Sequence, residues 1–283
     1  MTASLNEMIL KLREKTGAGM TACKSALVEA GNDYEKALEL LRKKGLADAA
    51  KKSARTTKEG LVAAFVSPDG KTAGIVELNC ETDFVAKTEE FQALAAGIAK
   101  AVAQGGVKSP EDAAPLVTSA IAKLGENMAV KRIDRYELSG PGAIAAYVHT
   151  AGGKKGALVE LACGSDAAAK HEAVAGLGKE LALQVVAMSP RWVSRADVPP
   201  AEVSKEKEIY TTLVLKEGKP EAAAAKIVEG KLNKLFYGAF CLTEQMSMRD
   251  NKTPISQLVE QASKAAGAKV EVKRFARYQL GGE

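Results

Sequence analysis

The chain has 283 residues, enough to bury a core of its own in one large domain or in two to three small ones. Hydrophobic residues make up 46% and charged residues 27%, an ordinary globular balance, and no apolar run approaches the roughly 20 residues of a membrane-spanning helix. The net charge of +5 is interleaved with acids and the aromatic share is 5%, which argues against a base-stacking platform for single-stranded nucleic acid.

The N-terminus, Met1 to Met8, has no basic segment followed by an apolar stretch, so the expected compartment is the cytoplasm. Residues 1–45 read as three short helices. Leu5, Met8, Ile9 and Leu12 follow helical spacing, and Thr16-Gly17-Ala18-Gly19 breaks the pattern. A second helix is expected from Met20 to Ala30, ending at Gly31, and Asn32 with Glu35 forms a capping box for a third that carries Ala37, Leu38 and Leu41. Residues 46–59, with Lys51, Lys52, Arg55 and Lys58, read as a partly helical linker.

From Gly60 the sequence repeats itself. Gly60-Leu-Val-Ala-Ala-Phe-Val66 matches Gly142-Ala-Ile-Ala-Ala-Tyr-Val148, and Ile75-Val-Glu-Leu-Asn-Cys80 matches Leu158-Val-Glu-Leu-Ala-Cys163. Each pair is β-rich and is joined by turn residues, Pro68 to Lys71 or Gly152 to Lys155, so each predicts a β-hairpin followed by helical sequence. A third match, Val130-Lys-Arg-Ile-Asp-Arg-Tyr-Glu-Leu138 with Val272-Lys-Arg-Phe-Ala-Arg-Tyr-Gln-Leu280, closes each unit after a helix stopping near Gly125 or Gly267. The pattern predicts two diverged β-β-α-α-β units, 60–140 and 141–283. Residues 189–238 have no counterpart in the first. They read as a helical hairpin, Glu202 to Lys216 and Glu221 to Leu235, turning at Glu217-Gly218-Lys219-Pro220 and free to pack on the core or to mediate association.

Tests for catalytic motifs fail on context. Gly17-Ala-Gly19-Met-Thr-Ala22 fits a dinucleotide fingerprint in spelling, but a helix rather than a strand precedes it. Asp69-Gly70-Lys71-Thr72 lacks the first glycine of a phosphate loop, where Phe65 stands. There is no G-x-S-x-G elbow. Cys23, Cys80, Cys163 and Cys241 are scattered, and with only His149 and His171 they make no zinc spacing. His171 reads as part of a solvated helix face, and His149 falls at the end of a hairpin strand, where a side chain faces solvent or a partner. The local oddity is Asn79-Cys-Glu-Thr-Asp-Phe-Val-Ala-Lys87, whose repeat mate, Ala162 to Lys170, has Ala167 in place of Phe84. Two readings stand: Thr82 or Asp83 caps a helix with Phe84 as a core staple, or Phe84 is an exposed aromatic anchor.

Two stretches, Leu12-Arg-Glu-Lys-Thr-Gly-Ala-Gly-Met-Thr-Ala-Cys-Lys-Ser-Ala-Leu27 and Glu77-Leu-Asn-Cys-Glu-Thr-Asp-Phe-Val-Ala-Lys87, resemble the bacterial translation elongation factor Ts family. Leu124-Gly-Glu-Asn127, Gly218-Lys-Pro220 and Lys226-Ile-Val-Glu-Gly-Lys231 continue the likeness in family order. The resemblance implies an α+β protein: a ubiquitin-associated-like N-terminal three-helix domain, a core of two subdomains, and an inserted antiparallel helical hairpin used for dimerisation. It implies a guanine-nucleotide exchange factor for elongation factor Tu, not an enzyme, with no cofactor of its own, acting on the GDP and magnesium its partner holds. It assigns Thr82, Asp83, Phe84 and Val85 to the partner's GTPase domain, where Phe84 wedges between helices and disturbs the magnesium site. Arg13, Met20, Lys24, Leu124, Gly125, His149 and Met248 correspond to further partner contacts. No direct nucleic-acid or membrane contact is expected. Thr21 replaces a methionine found in some members, the alignment near Met248 needs an inserted residue by Pro254, and a C-terminal helical module of some members is expected to be missing after Glu283. The rival reading is an RNA-binding or scaffold protein gripping phosphates around Lys51, Lys52 and Arg55.

Overall fold

The computed structural model describes residues 4–217 and 220–282, so Gly218 and Lys219 of the expected hairpin turn lie outside the described residues. Three helices come first: α1 (Leu5–Thr16), α2 (Met20–Glu29) and α3 (Tyr34–Lys52). Ser4 and Glu7 form a capping box at the start of α1, and Gly17, at φ 69°, ends it in a left-handed conformation open to glycine at little cost. Ile9, Leu12, Cys23, Leu27, Ala37 and Leu41 pack between the helices.

One expectation shifts here. The cap of α3 is Asp33, which accepts the Lys36 N–H, and not Asn32. Gly31 and Asn32 both take positive φ, 65° and 64°, so Asn32 is spent on the turn and the next short polar residue caps. Helix α3 runs on through residues 46–52, the helical part of the partly helical linker, because that stretch has a surface to cover. Ala49 is buried in the first unit's core, and a Cβ on Gly45 would sit 3.1 Å from the Ala122 Cβ.

The first unit is β1 (Glu59–Val66), β2 (Thr72–Cys80), a single turn α4 (Asp83–Ala86), α5 (Glu89–Ala103), a 3-10 turn over Pro110–Ala113, α6 (Ala114–Leu124) and β3 (Met128–Glu137). The second is β4 (Gly142–Val148), β5 (Lys155–Cys163), α7 (Asp166–Ala169) and α8 (Glu172–Met188), closed much later by α12 (Ile255–Ala266) and β6 (Val270–Gln279). Both sheets are antiparallel, ordered β1-β2-β3 and β4-β5-β6, and both carry a register irregularity at the same repeat position, Glu77/Leu78 and Glu160/Leu161.

Alternation along the middle strand assigns its two faces. Val76, Leu78 and Cys80 join Phe91, Ile98 and Val102 of α5 in one core. Gly74 permits the close approach: a Cβ there would lie 2.3 Å from the Ala99 carbonyl oxygen. In the second unit the small residue sits on the helix instead, where a Cβ on Gly178 would lie 2.9 Å from the Ala145 Cβ.

The opposite faces meet each other. Val62, Ile75 and Tyr136 pack with their repeat mates Ile144, Leu158 and Tyr278, so the two units face one another much as two copies of one chain would. The charged residues obey the same relation. Arg132 Nε donates to Glu77 Oε2 at 2.8 Å while its guanidinium lies 4.3 Å from the Tyr278 ring centroid. Arg274 Nε donates to Glu160 Oε2 at 2.7 Å and lies 4.0 Å from that of Tyr136.

The insertion contains a 3-10 turn (Arg195–Asp197), α9 (Pro200–Lys216), α10 (Glu221–Lys231), a π-helical segment (Leu232–Tyr237) and α11 (Gly238–Phe240), with a further 3-10 turn at Leu242–Glu244. Val214, Val228, Leu232 and Phe236 give it a small core of its own, against which Trp192 packs. Ile209, Leu213, Leu215 and Leu235 are left exposed.

Candidate functional site

Strand β2 ends at Cys80 and the chain turns through Thr82, whose extended backbone, φ −125° and ψ 154°, places it as the N-cap of α4. The Thr82 hydroxyl accepts the Val85 N–H at 3.3 Å and donates to Glu126 Oε1 at 2.6 Å, while its N–H donates to Glu126 Oε2 at 3.0 Å. The Asn127 N–H donates to Glu81 Oε1 at 2.6 Å, and Asn127 Nδ2 donates to the carbonyls of Arg55 at 2.7 Å and Ser53 at 3.3 Å. The bonds accepted by the Glu126 and Glu81 carboxylates are charge-assisted and strong, so the turn is fixed to the α6–β3 corner, which the Asn127 amide in turn ties to the chain leaving α3. Leu124 and Gly125 belong to that corner; Gly125, at φ 82°, closes α6, and Leu124 packs on the core.

With the turn held this way, Val85 and Ala86 pack inward and Phe84 points out, 78% exposed. The staple reading of Phe84 therefore falls, since the inward position is taken by Val85. Asp83 is bound by Lys87 Nζ at 2.6 Å, and that hydrogen bond holds its carboxyl below the usual range. The segment thus presents an uncovered aromatic beside an ionised carboxylate on a turn whose backbone is already ordered. Little conformational freedom remains to be lost when a partner covers it.

His149 is exposed at the end of β4. Its N–H donates to the Lys155 carbonyl at 2.8 Å, and its Nδ1 lies 3.0 Å from the Tyr147 hydroxyl. The following turn uses Gly152 and Gly153, both at positive φ, and the Val62 N–H of β1 donates to the Gly153 carbonyl at 2.8 Å. A cleft of about 430 Å³ opens there, with β1 residues, Asp83, Lys87 and Gln92 on one wall and Val148, His149 and Lys154 on the other. Lys154 Nζ reaches across to Glu59 at 2.9 Å. Asp83 and His149, from different units, share one opening.

The remaining sequence candidates lie elsewhere. Arg13 borders a hollow with Leu10, Glu14, Gly17 and Lys123, the residue before Leu124. Met20 and Lys24 are exposed one turn apart on α2. Met248 is half-buried against α8, its N–H donating to Gln184 Oε1 at 2.9 Å, and does not line the cleft. His171 does not sit on a helix face: it is the N-cap of α8, its Nδ1 accepting the Ala173 N–H at 3.2 Å. Glu81, Glu126 and Asn127 carry no signal by residue type alone, although the stretches carrying the resemblance contain all three.

Among the described residues, no group of three or more His, Cys, Asp or Glu could hold a metal, and no helix is long and apolar enough to cross a membrane. All four cysteines are buried, and burial, aided by Glu126, pushes the Cys80 thiol up to about 12.

Residues 81–282 match the family model described as Elongation factor TS. The chain is also 46% identical over 274 residues to elongation factor Ts of Nitratidesulfovibrio vulgaris (strain DP4), covering 97% of this chain and 94% of that relative. The chain belongs to the elongation factor Ts family. Elongation factor Ts of Clostridium botulinum (strain Alaska E43 / Type E3) is 42% identical over 284 residues, covering 96% and 91% of the two chains. That of Clostridium kluyveri (strain NBRC 12016) is 42% identical over 288 residues, covering 97% and 92%. The elongation factor Ts match begins at Glu81, the residue that opens the Phe84 turn, and the relatives carry the likeness back over the N-terminal helices.

Proposed function

We infer that this chain is a guanine-nucleotide exchange factor of translation elongation, acting on elongation factor Tu. Family membership supports the role, and the exposed Phe84 on its braced turn is the observation that carries the mechanism. A GTPase holds its nucleotide through a phosphate-cradling loop and magnesium. A protein that binds the nucleotide-free form more tightly must weaken nucleotide binding by the same factor. Exchange therefore needs no bond making on this chain, which acts by binding and not as an enzyme, with no cofactor of its own.

In this reading Thr82, Asp83, Phe84 and Val85 enter the GTPase domain, with Phe84 wedged between helices so that the magnesium site is disturbed. His149 supplies a second contact across the cleft. Leu124 and Gly125 flank the wedge, Arg13, Met20 and Lys24 extend the surface onto the ubiquitin-associated-like head, and Met248 adds a separate contact. The exposed Ile209, Leu213, Leu215 and Leu235 suit self-association through the hairpin. The cytoplasm is the matching compartment.

The test is release of a fluorescent GDP analogue from elongation factor Tu, with and without this chain. Wild type accelerates release. Truncating a central aromatic anchor costs about 2 kcal/mol or more, so Phe84→Ala slows release roughly thirtyfold with unchanged circular dichroism. Undiminished exchange by Phe84→Ala removes the wedge, and no acceleration by wild type removes the function.

A further inference from the structure

The seam between the two units is reciprocal in its stacks and one-sided in one bond. Arg132 and Arg274 are repeat mates, as are Tyr136 and Tyr278, and each arginine lies over the other unit's tyrosine. Beneath them Glu77 and Glu160 are buried and paired. The symmetry breaks at Asp134, whose repeat mate is Ala276. The Tyr278 hydroxyl donates to Asp134 Oδ2 at 3.2 Å, whereas the Tyr136 hydroxyl makes no hydrogen bond among the described residues. The same end of the seam collects further bonds. Arg132 Nη2 donates to the Gln279 carbonyl at 3.0 Å, Lys131 Nζ to the Gly282 carbonyl at 3.1 Å, and the Gly281 N–H to Glu77 Oε1 at 3.1 Å. Every one of these joins β3 or β2 of the first unit to the end of β6 or the residues just after it in the second.

Resting on the exchange reading above, we propose that Asp134 and Tyr278 are positioning residues, a latch that fixes how the second unit sits on the first and so sets the spacing of Phe84 and His149. The two walls of the cleft belong to different units, and near His149 the Val62–Gly153 backbone bond ties β1 to the β4–β5 turn. Van der Waals packing of Val62, Ile75, Ile144 and Leu158 tolerates a small rotation, because apolar contact has no direction. A hydroxyl–carboxylate bond does not. Burial and the neighbouring Asp134 carboxylate raise the Tyr278 hydroxyl well above its ordinary value, so it remains a donor at any working pH. A surface that must touch its partner at two places gains affinity from holding their separation before binding, and loses it when the ordering is left to the encounter.

Two measurements test this. In nucleotide release at increasing concentrations of the chain, losing one hydrogen bond raises the half-saturating concentration about fivefold for Tyr278→Phe and Asp134→Ala, with the plateau rate kept. Asp134→Asn, whose amide oxygen still accepts, stays near wild type, which a merely structural loss of the acid does not predict. In parallel, spin labels at Glu89→Cys and Ala151→Cys, one in each unit and both exposed, report the distance distribution across the cleft. It broadens with Tyr278→Phe and Asp134→Ala but not with Asp134→Asn. A wild-type half-saturation for Tyr278→Phe overturns the inference. If wild type itself fails to accelerate release, the exchange reading fails and the distances judge the latch alone, an unbroadened distribution sinking it.

Discussion

Glu126 holds Thr82 twice, taking its hydroxyl on one carboxylate oxygen and its backbone N–H on the other. The residues that make Phe84 protrude therefore lie at the far end of the first unit's sequence. Bonds to a charged acceptor are worth about 1.5–3 kcal/mol each, offset in part by rehydration, so Glu126→Ala should lower stability by about 2 kcal/mol. It should also slow exchange although it removes no aromatic, with Glu126→Gln intermediate on both counts. Urea midpoints and nucleotide release measure this, and wild-type values for Glu126→Ala would mean the brace is idle.

The Glu77–Arg132 pair is the most deeply buried charge in the seam, with Glu77 0% exposed. Removing one partner strands the other, at about 3–5 kcal/mol. Glu77→Ala should therefore cost several times what the exposed Lys264–Glu260 pair could lose on the opposite unit. The urea midpoints of Glu77→Ala and Glu260→Ala give the comparison directly.

Gly74 is fixed by the Ala99 carbonyl above it. Gly74→Ala must push α5 off the sheet, and overpacking of this kind costs about 1–3 kcal/mol. Thermal unfolding of this variant should show the loss. A melting temperature equal to wild type would mean that α5 yields freely.

Acid should loosen the base of the helical hairpin. Glu244 accepts two bonds from Arg195, both 2.6 Å, and those hydrogen bonds hold its carboxyl below the ordinary 4.5. A depressed folded value means the pair's stabilisation is fully present above about pH 4.5 and is lost as pH falls through the lower folded value. Thermal unfolding scanned from neutral to acid should show a shallower decline for Glu244→Gln than for wild type. Parallel declines would contradict the assignment.

Thiol titration offers a simple check on the core. Cys23, Cys80, Cys163 and Cys241 are all buried, and burial raises each thiol above its ordinary value. A chromogenic disulfide reagent near neutral pH should count none of them in the native chain and all of them in denaturant. Rapid labelling of the native chain would show that its cores open.

Much of the fold is legible in the sequence because it is local or repeated. Helical spacing marks α1, glycine marks the ends of α1, α6 and α12, and the matched strands mark both hairpins. What is not legible depends on partners distant in sequence. Nothing near Ala49 says that it will be buried in the first unit's core, so how far α3 extends into the linker is not legible there. Nothing in Thr82 to Val85 tells which of Phe84 and Val85 faces in, since two adjacent apolar residues on a single turn compete for one inward position. The decision is made by Glu126 and by the packing of Val85. The choice of Asp33 over Asn32 turns on a backbone angle that only the completed turn reveals. The crossed stacks are written in the repeat as Arg132 and Tyr136 with Arg274 and Tyr278, but their exchange across the seam is a fact of three dimensions.

That exchange gives each unit a face close to its own complement. Residues 60–140 expressed alone would leave Arg132 and Tyr136 uncovered, and the surface best shaped to cover them is a second copy of the same residues. In such a pair Asp134 would stand opposite Tyr136 on both sides, so the symmetric assembly would carry two latches where the native chain has one. Ala276 is thus the position at which the second unit stops competing as a twin and becomes a distinct half.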